Sequence, residues 1–304
     1  MTAIPKAAHP LIAFQPQHPF FVGIDSDGCA FDTMELKQKE CFIPNTIRIW
    51  GLQPISRYAR ETAEWVNLYS RWRGANRWPA LVKVFELLAE RPEVKARGFK
   101  VPEGKALKAF IASGYPPSEA GLKAYIASGH DDEELWRGLE WTRAIDSLVA
   151  ATVCAMPPFP FVRESVQKLQ SKADLMVVST TAFAALQREW IEHGLAPYMA
   201  LMAGQEMGTK RQHLEYAAKG KYPDDHILLI GDALGDLEAA RAVQVLFYPI
   251  NPGAEAESWR RFYEEACDRF LNGTYAGAYE ASLIAEFEKL LSDTPPWQQR
   301  AQPS

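Results

Sequence analysis

The sequence predicts an α/β protein: a doubly wound parallel sheet with an all-helical segment inserted after the first strand. Three observations carry this expectation. Short apolar runs at 20–25, 175–179 and 227–230 have strand length, and polar residues (Asp25, Ser179, Asp232) stand at or just beyond their carboxyl ends. Such runs suit buried parallel strands, whose carboxyl ends face the crevice where open sheets bind ligands. Between 158 and 252 strand-like and helical patterns alternate, the rhythm of βαβ units. Residues 35–157, in contrast, read as almost wholly helical.

The elements follow in order. Residues 1–19 form an arm broken by Pro5, Pro10 and Pro16. The strand at 20–25 runs into Asp25-Ser26-Asp27-Gly28, two carboxylates one residue apart where the chain turns on a glycine. Close like charges repel, so the pair calls for a cation, a shared proton or both. In the helical segment Trp65, Leu68, Tyr69 and Trp72 recur at helical spacing, as do Leu135, Leu139, Thr142 and Ile145. Residues 106–114 recur as 121–129 with changes only at the first and fifth positions. Two copies are too few for a solenoid and read as a local duplication. Met156-Pro157-Pro158-Phe159-Pro160 is the linker candidate.

A helix at 161–170 then leads to the strand at 175–179, and a helix at 183–193 stops at Gly194. A strand at 198–203, a helix at 210–219 and the strand at 227–230 come next. A helix at 237–243 and a strand at 245–248 complete the alternation, and helices at 255–270 and 280–291 follow Pro252. The first strand belongs with the later ones, so the expected division is 1–34 with 158–252, an inserted 35–157, and an extension at 253–304.

Composition narrows the function classes. Of 304 residues, 47% are hydrophobic and 23% charged, which fits a soluble globular chain with ample material for a core. A net charge of -5 and a pI near 5.8 give no reason to expect nucleic acid or an anionic membrane as partner. No apolar run is long enough to span a bilayer, and the first 17 residues lack the apolar core of a signal peptide. The four cysteines, Cys29, Cys41, Cys154 and Cys267, have neither metal-type spacing nor a disulfide framework. A reduced, cytoplasmic setting is the expectation.

Taken singly, the polar positions have ordinary explanations. Asp25-Ser26-Asp27-Gly28 could be an Asx-type turn, Ser179 a helix N-cap, Lys210 a surface lysine, and Asp236 a charge favoured at a helix start. Together and in this order they resemble the haloacid dehalogenase (HAD) superfamily. Motif one stands as Asp25-Ser26-Asp27-Gly28-Cys29-Ala30-Phe31-Asp32, motif two as Ser179, motif three as Lys210, and motif four as Gly231-Asp232 with Asp236. The resemblance covers residues 20–34 and 158–252 and implies a Rossmann-like core with a helical cap of the first type.

The resemblance also implies roles. Asp25 would be the nucleophile that forms an aspartyl-phosphate, and Asp27 the acid that protonates the leaving oxygen and then activates water. Asp25, the backbone carbonyl of Asp27, and Asp232 would hold Mg²⁺, a hard cation that prefers oxygen ligands. Ser179 and Lys210 would contact the phosphoryl oxygens, and Asp236 would orient Lys210 or a metal-bound water. Asp27 favours phosphate ester chemistry, because members acting on carbon–halogen bonds or phosphonates are expected to lack it. One departure is Cys29, where the family usually has threonine. A thiol is a weak hydrogen-bond partner, so buried packing is the expected role, with oxidation sensitivity as the alternative.

The inserted segment resembles a cap that closes over the core site and selects small substrates. Its most distinctive stretch, residues 69–78, contains Arg71, Arg73 and Arg77, which could bind a second anionic group on a substrate. Solvated arginines beside buried tryptophans are the competing explanation. His130 before Asp131-Asp132-Glu133-Glu134 reads as an acidic helix start rather than a metal site. The expected activity is Mg²⁺-dependent hydrolysis of a small phosphorylated metabolite. The alternatives are a sugar phosphomutase, or a non-catalytic binding protein on the same core.

Overall fold

In the computed structural model, which describes residues 4–299, β1 (Phe20–Ile24) is the middle of a five-stranded sheet. β2 (Ala173–Val178) and β3 (Leu201–Ala203) lie to one side, and β4 (Ile227–Gly231) and β5 (Leu246–Pro249) to the other. Every pairing is parallel; Val22 stands opposite Leu175 in β2 and Leu228 in β4. From β1 the chain builds outward through β2 and β3, then returns to build β4 and β5 on the opposite flank. That reversal opens a crevice at the carboxyl ends of β1 and β4, the place where doubly wound sheets take ligands.

Alternation along the strands makes two cores in this unit. Val22, Ile24, Leu175, Val177, Leu228 and Ile230 face one side and pack with Val166, Leu186, Trp190, Trp259 and Phe262. Phe21, Met176, Val178, Leu229 and Phe247 face the other and pack with Leu214, Leu237, Ala240 and Phe287. Gly23 is needed by the second face: a Cβ there would lie 2.9 Å from Val178 Cγ2 and 3.2 Å from Leu229 Cδ1.

The chain divides into two compact units. Among the described residues, one comprises 4–34 and 155–291; the other comprises 35–154 and 292–299. The first therefore holds the sheet together with the helices Glu255–Arg261 and Ala278–Leu290. The second is helical, with Ser56–Leu68, Arg77–Glu90 and Glu133–Thr152 as its longest α-helices. Its core gathers Trp50, Trp65, Trp78, Phe85, Phe110 and Trp141. The C-terminal stretch adds Trp297, which meets Trp65 at 5.7 Å between ring centroids and lies under the Arg91 guanidinium at 4.3 Å.

The internal repeat forms two short helices, Lys105–Ala112 and Glu119–Ala127. Both copies bury the same leucine and aromatic positions, Leu107 with Phe110 and Leu122 with Tyr125, and the two rings meet at 5.6 Å. In both, the serine that follows turns its hydroxyl back onto the carbonyl three residues before, Ser113 onto Phe110 and Ser128 onto Tyr125.

Several elements differ from the sequence expectation. The helical spacing through Tyr69 and Trp72 overshoots, because the helix ends at Leu68. There the Ser70 hydroxyl donates to Val66 O and accepts from Trp72 N, which turns the chain off the helix axis. The expected strand at 198–203 is reduced to Leu201–Ala203, since Pro197 sits in a 3-10 turn over Ala196–Tyr198. The arm before β1 contains a short helix, His9–Ala13, with Pro10 in its first turn where a missing N–H costs nothing. Asp132 caps the Glu133–Thr152 helix, as the acidic run predicts, and His130 stacks on Tyr125 at 3.9 Å. No helix among the described residues is long and apolar enough to cross a membrane.

Candidate active site

β1 carries Asp25 to its carboxyl end, and the backbone continues the ladder for one more bond, Asp25 N donating to Ile230 O at 3.0 Å. That bond fixes the direction of the Asp25 side chain, which is 4% exposed. Its Oδ1 accepts from Ser26 N at 2.8 Å, and its Oδ2 accepts from Lys210 Nζ at 2.7 Å. The loop then closes on Gly28, whose φ of 76° is open to glycine and strained for other residues. Gly28 N bonds to Phe31 O, and the main chain of Ser26 accepts from both Ala30 N and Phe31 N.

Lys210 is the first residue of the Lys210–Ala217 helix, and Thr209 and Gln212 form a reciprocal capping box at its start. The cap sets the helix entry, and the lysine reaches back to bridge two carboxylates. Its Nζ lies 2.7 Å from Asp25 Oδ2 and 2.5 Å from Asp236 Oδ1. Asp236, fully buried in the Leu234–Val243 helix, uses Oδ2 to accept from Ala233 N at 3.1 Å. Gly231 makes room for it: a Cβ at 231 would stand 2.4 Å from Asp236 Cγ. Ser179 follows β2, is 2% exposed, and has its own N–H on Ala203 O, while its hydroxyl accepts from Thr181 N at 3.2 Å.

Oxygens of Asp25, Asp232 and Asp236 all lie within 4.8 Å of one another, and all three residues are buried. Burial holds the Asp25 carboxyl well above the usual carboxylate range, with Lys210 opposing and Asp236 and Asp232 adding to the rise. Burial also works against the Lys210 charge, but Asp236 and Asp25 more than offset it and keep the ammonium above its ordinary value. Three carboxyl groups share one ammonium in a buried, all-oxygen donor set, where a bound cation would favour the ionised form that burial opposes at Asp25. That set fits a hard divalent cation better than a soft metal.

The structure therefore brings together Asp25, Asp232, Asp236 and Lys210. Asp27 stands on the same loop, with Oδ2 accepting from the Thr181 hydroxyl at 2.8 Å and Oδ1 from the Thr33 hydroxyl. Sequence reasoning missed both threonines. Thr181 had a legible signal, the hydroxyl run Ser179-Thr180-Thr181; Thr33 had none. Cys29 is fully buried with its Sγ 3.7 Å from Ile230 O, and burial, followed by the charge of Asp232, pushes its thiol well up. A thiol so placed packs the loop and is a poor nucleophile.

The three arginines of residues 69–78 have partners within their own unit. Arg71 Nε is 3.4 Å from Asp293 Oδ1, and Arg73, 4% exposed, donates to Leu68 O at 3.0 Å. Arg77 donates to Thr142 Oγ1 and Asp146 Oδ1, both at 2.7 Å, and lies over the Phe42 ring. Arg71, about half exposed, is the one with most access to solvent.

No protein-family model and no curated protein sequence matches the chain. Solved structures similar to it include a haloacid dehalogenase-like hydrolase from Streptococcus pneumoniae, at 15% identity over 79% of this chain and 90% of that one, TM-score 0.44. A candidate phosphoglycolate phosphatase from Lactobacillus delbrueckii subsp. bulgaricus is similar at 14% identity over 86% of this chain and 100% of that one, TM-score 0.48. A candidate HAD hydrolase from Bacillus subtilis, bound to magnesium, is similar at 15% identity over 78% and 88%, TM-score 0.39. With likenesses this distant, chemistry has to be read from the residues of the site itself.

Proposed function

We propose that the chain is a HAD-type phosphohydrolase that cleaves a small phosphate monoester through an aspartyl-phosphate. The observation that carries the proposal is the Asp25 carboxylate. It stands at the crevice end of the central strand, braced at one oxygen by Ser26 N and at the other by Lys210 Nζ, with Asp27 two residues on. A carboxyl nucleophile, a fixed ammonium and a neighbouring carboxyl are groups that serve phosphoryl transfer, since positioning and electrostatics supply most of its catalysis.

An oxygen of Asp25 attacks phosphorus and the ester oxygen departs, taking a proton from the Asp27 carboxyl. The leaving alcohol is then neutral and Asp27 is a carboxylate. Asp27 next accepts a proton from a water whose oxygen attacks the aspartyl-phosphate, releasing phosphate and restoring both aspartates. Lys210 holds positive charge against the phosphoryl oxygens, and Asp236 keeps it aimed by accepting a hydrogen bond from its Nζ. Ser179 is the assigned hydroxyl donor to the same oxygens. Asp25, Asp232 and the Asp27 backbone carbonyl would hold Mg²⁺, whose charge lets an anionic nucleophile meet an anionic substrate. Arg71, Arg73 and Arg77 remain the candidates for a second anionic group on the substrate; Arg71 is the most exposed of them, while Arg73 and Arg77 are more deeply engaged in their own unit.

Phosphate release from a panel of phosphorylated metabolites, with and without Mg²⁺, tests the assignment on wild type and Asp25→Asn. The expected result is metal-dependent release that the substitution lowers by at least about 1,000-fold. Turnover surviving in Asp25→Asn would remove the nucleophile from the mechanism.

A further inference from the structure

Two fully buried indoles grip the loop that carries Asp25 and Asp27. Trp190, in the Phe183–Glu192 helix, donates from Nε1 to Ser26 Oγ at 2.9 Å. Trp259, in the Glu255–Arg261 helix, donates from Nε1 to Cys29 O at 2.8 Å. The two acceptors flank Asp27, one residue before it and two after. We propose that Trp190 and Trp259 are positioning residues for the reaction proposed above, on which this inference rests. They act through the loop and touch no reacting atom.

Each grip has a route to a reacting carboxylate. Ser26 Oγ accepts a hydrogen bond from Trp190 Nε1 and donates one to Glu189 Oε2 at 2.9 Å, so the hydroxyl is held from two sides. The same residue's backbone N–H is the donor to Asp25 Oδ1. Fixing the Ser26 side chain therefore fixes the peptide that braces the nucleophile. At the other end, the Cys29 carbonyl is buried and its indole partner satisfies it. The Cys29 thiol, 3.7 Å from Ile230 O, is too weak a donor to hold the loop alone. Here the helices after β5 have a function: through Trp259 they support the loop that follows β1.

Both rings also pack edge-on against phenylalanines, Trp190 on Phe31 at 5.4 Å and Trp259 on Phe262 at 5.7 Å. A Trp→Phe change therefore removes the N–H while keeping an aromatic ring in place. Because small displacements of reacting groups cost about 100-fold per ångström, loss of either donor is expected to lower kcat about 10-fold with KM held within about 2-fold. Trp190→Phe should add nothing to Ser26→Ala, since it acts through that hydroxyl. Trp78→Phe is the control: that indole is as deeply buried but has no hydrogen-bond partner among the described residues.

The experiment measures kcat and KM for Trp190→Phe, Trp259→Phe, Trp78→Phe, Ser26→Ala and the Trp190→Phe/Ser26→Ala pair, at a temperature where each is folded. It also follows amide hydrogen exchange over residues 20–31. A kcat loss at unchanged KM in the first two alone, with faster exchange in that segment, is the expected result. Losses matched by Trp78→Phe, or additivity of Trp190→Phe with Ser26→Ala, would overturn it. If the wild type turns over no ester, the phosphohydrolase reading fails. The exchange data then still decide whether the indoles hold the loop, and unchanged exchange overturns the inference.

Discussion

Gly231→Ala isolates the packing that aims Lys210. Gly231 ends β4, and a Cβ there would lie 2.4 Å from Asp236 Cγ and 2.5 Å from its Cβ. Ordinary van der Waals contact starts near 3.4 Å, so about 1 Å of overlap has to be relieved. Asp236 cannot yield freely, because it is fully buried and both of its carboxylate oxygens are bonded, to Lys210 and to Ala233 N. Moving it by about 1 Å carries Lys210 away from Asp25, and a misplacement of that size costs roughly 100-fold in rate. Overpacking of this kind also destabilises by about 1–3 kcal/mol. The assay is kcat/KM for phosphate release beside a thermal melt, with Gly235→Ala as control. A Cβ at Gly235 meets nothing within 4 Å, so that variant should keep wild-type kcat/KM and Tm or gain slightly in Tm. Wild-type kcat/KM in Gly231→Ala would refute the idea that Asp236 is held by close packing against β4.

Three other outcomes are expected. Burial, and then the charge of Lys210, push the fully buried His213 down to about 4 from 6.5. As pH falls from 6.5 towards 4 the unfolded chain takes up a proton that the folded one refuses. Stability should therefore drop over that window, by up to about 3 kcal/mol, and the drop should vanish in His213→Gln; denaturant melts across pH measure it. Tyr222→Phe removes one donor from Asp174, a buried carboxylate near the amino end of β2 that also accepts from the Gln17 and His18 amides and the His18 ring. A loss of about 1–2 kcal/mol in stability with unchanged kcat is expected, because Asp174 lies at the opposite end of the strand from Ser179. Cys154 is exposed while Cys29, Cys41 and Cys267 are buried, so a thiol reagent should label one cysteine in the native protein and four after denaturation. Rapid native labelling of Cys29 would instead favour the oxidation-sensitive alternative.

What could be read from the sequence was whatever short-range pattern imposes. Apolar runs of strand length can satisfy their backbones only by pairing, and with βα alternation this predicts a parallel sheet. The polar ends of those runs had to lie at one end of the parallel sheet, which is why Asp25 and Asp232 were legible as neighbours, with Ser179 following the adjacent strand. Lys210 was legible only through the order of the motifs, since a lysine at a helix start is ordinary until its partners are known. Helix ends were less legible. Tyr69 and Trp72 keep the helical period beyond Leu68, but the Ser70 hydroxyl, bonded to Val66 O and Trp72 N, turns the chain there.

The sequence by itself determined the strands, their carboxylate ends and the separation of a helical segment from the sheet, because these depend on residues near one another in the chain. Tertiary structure alone decided what holds the site in shape. Trp259 grips a carbonyl 230 residues away and Thr181 a carboxylate 154 away, and no local pattern records such pairs. Tertiary structure likewise divided the C-terminal region, placing residues up to 291 with the sheet and 292–299 with the helical unit. Both outcomes follow from burial: an indole N–H, a hydroxyl or an aromatic ring taken out of water is stabilised by whichever complementary surface the fold brings to it.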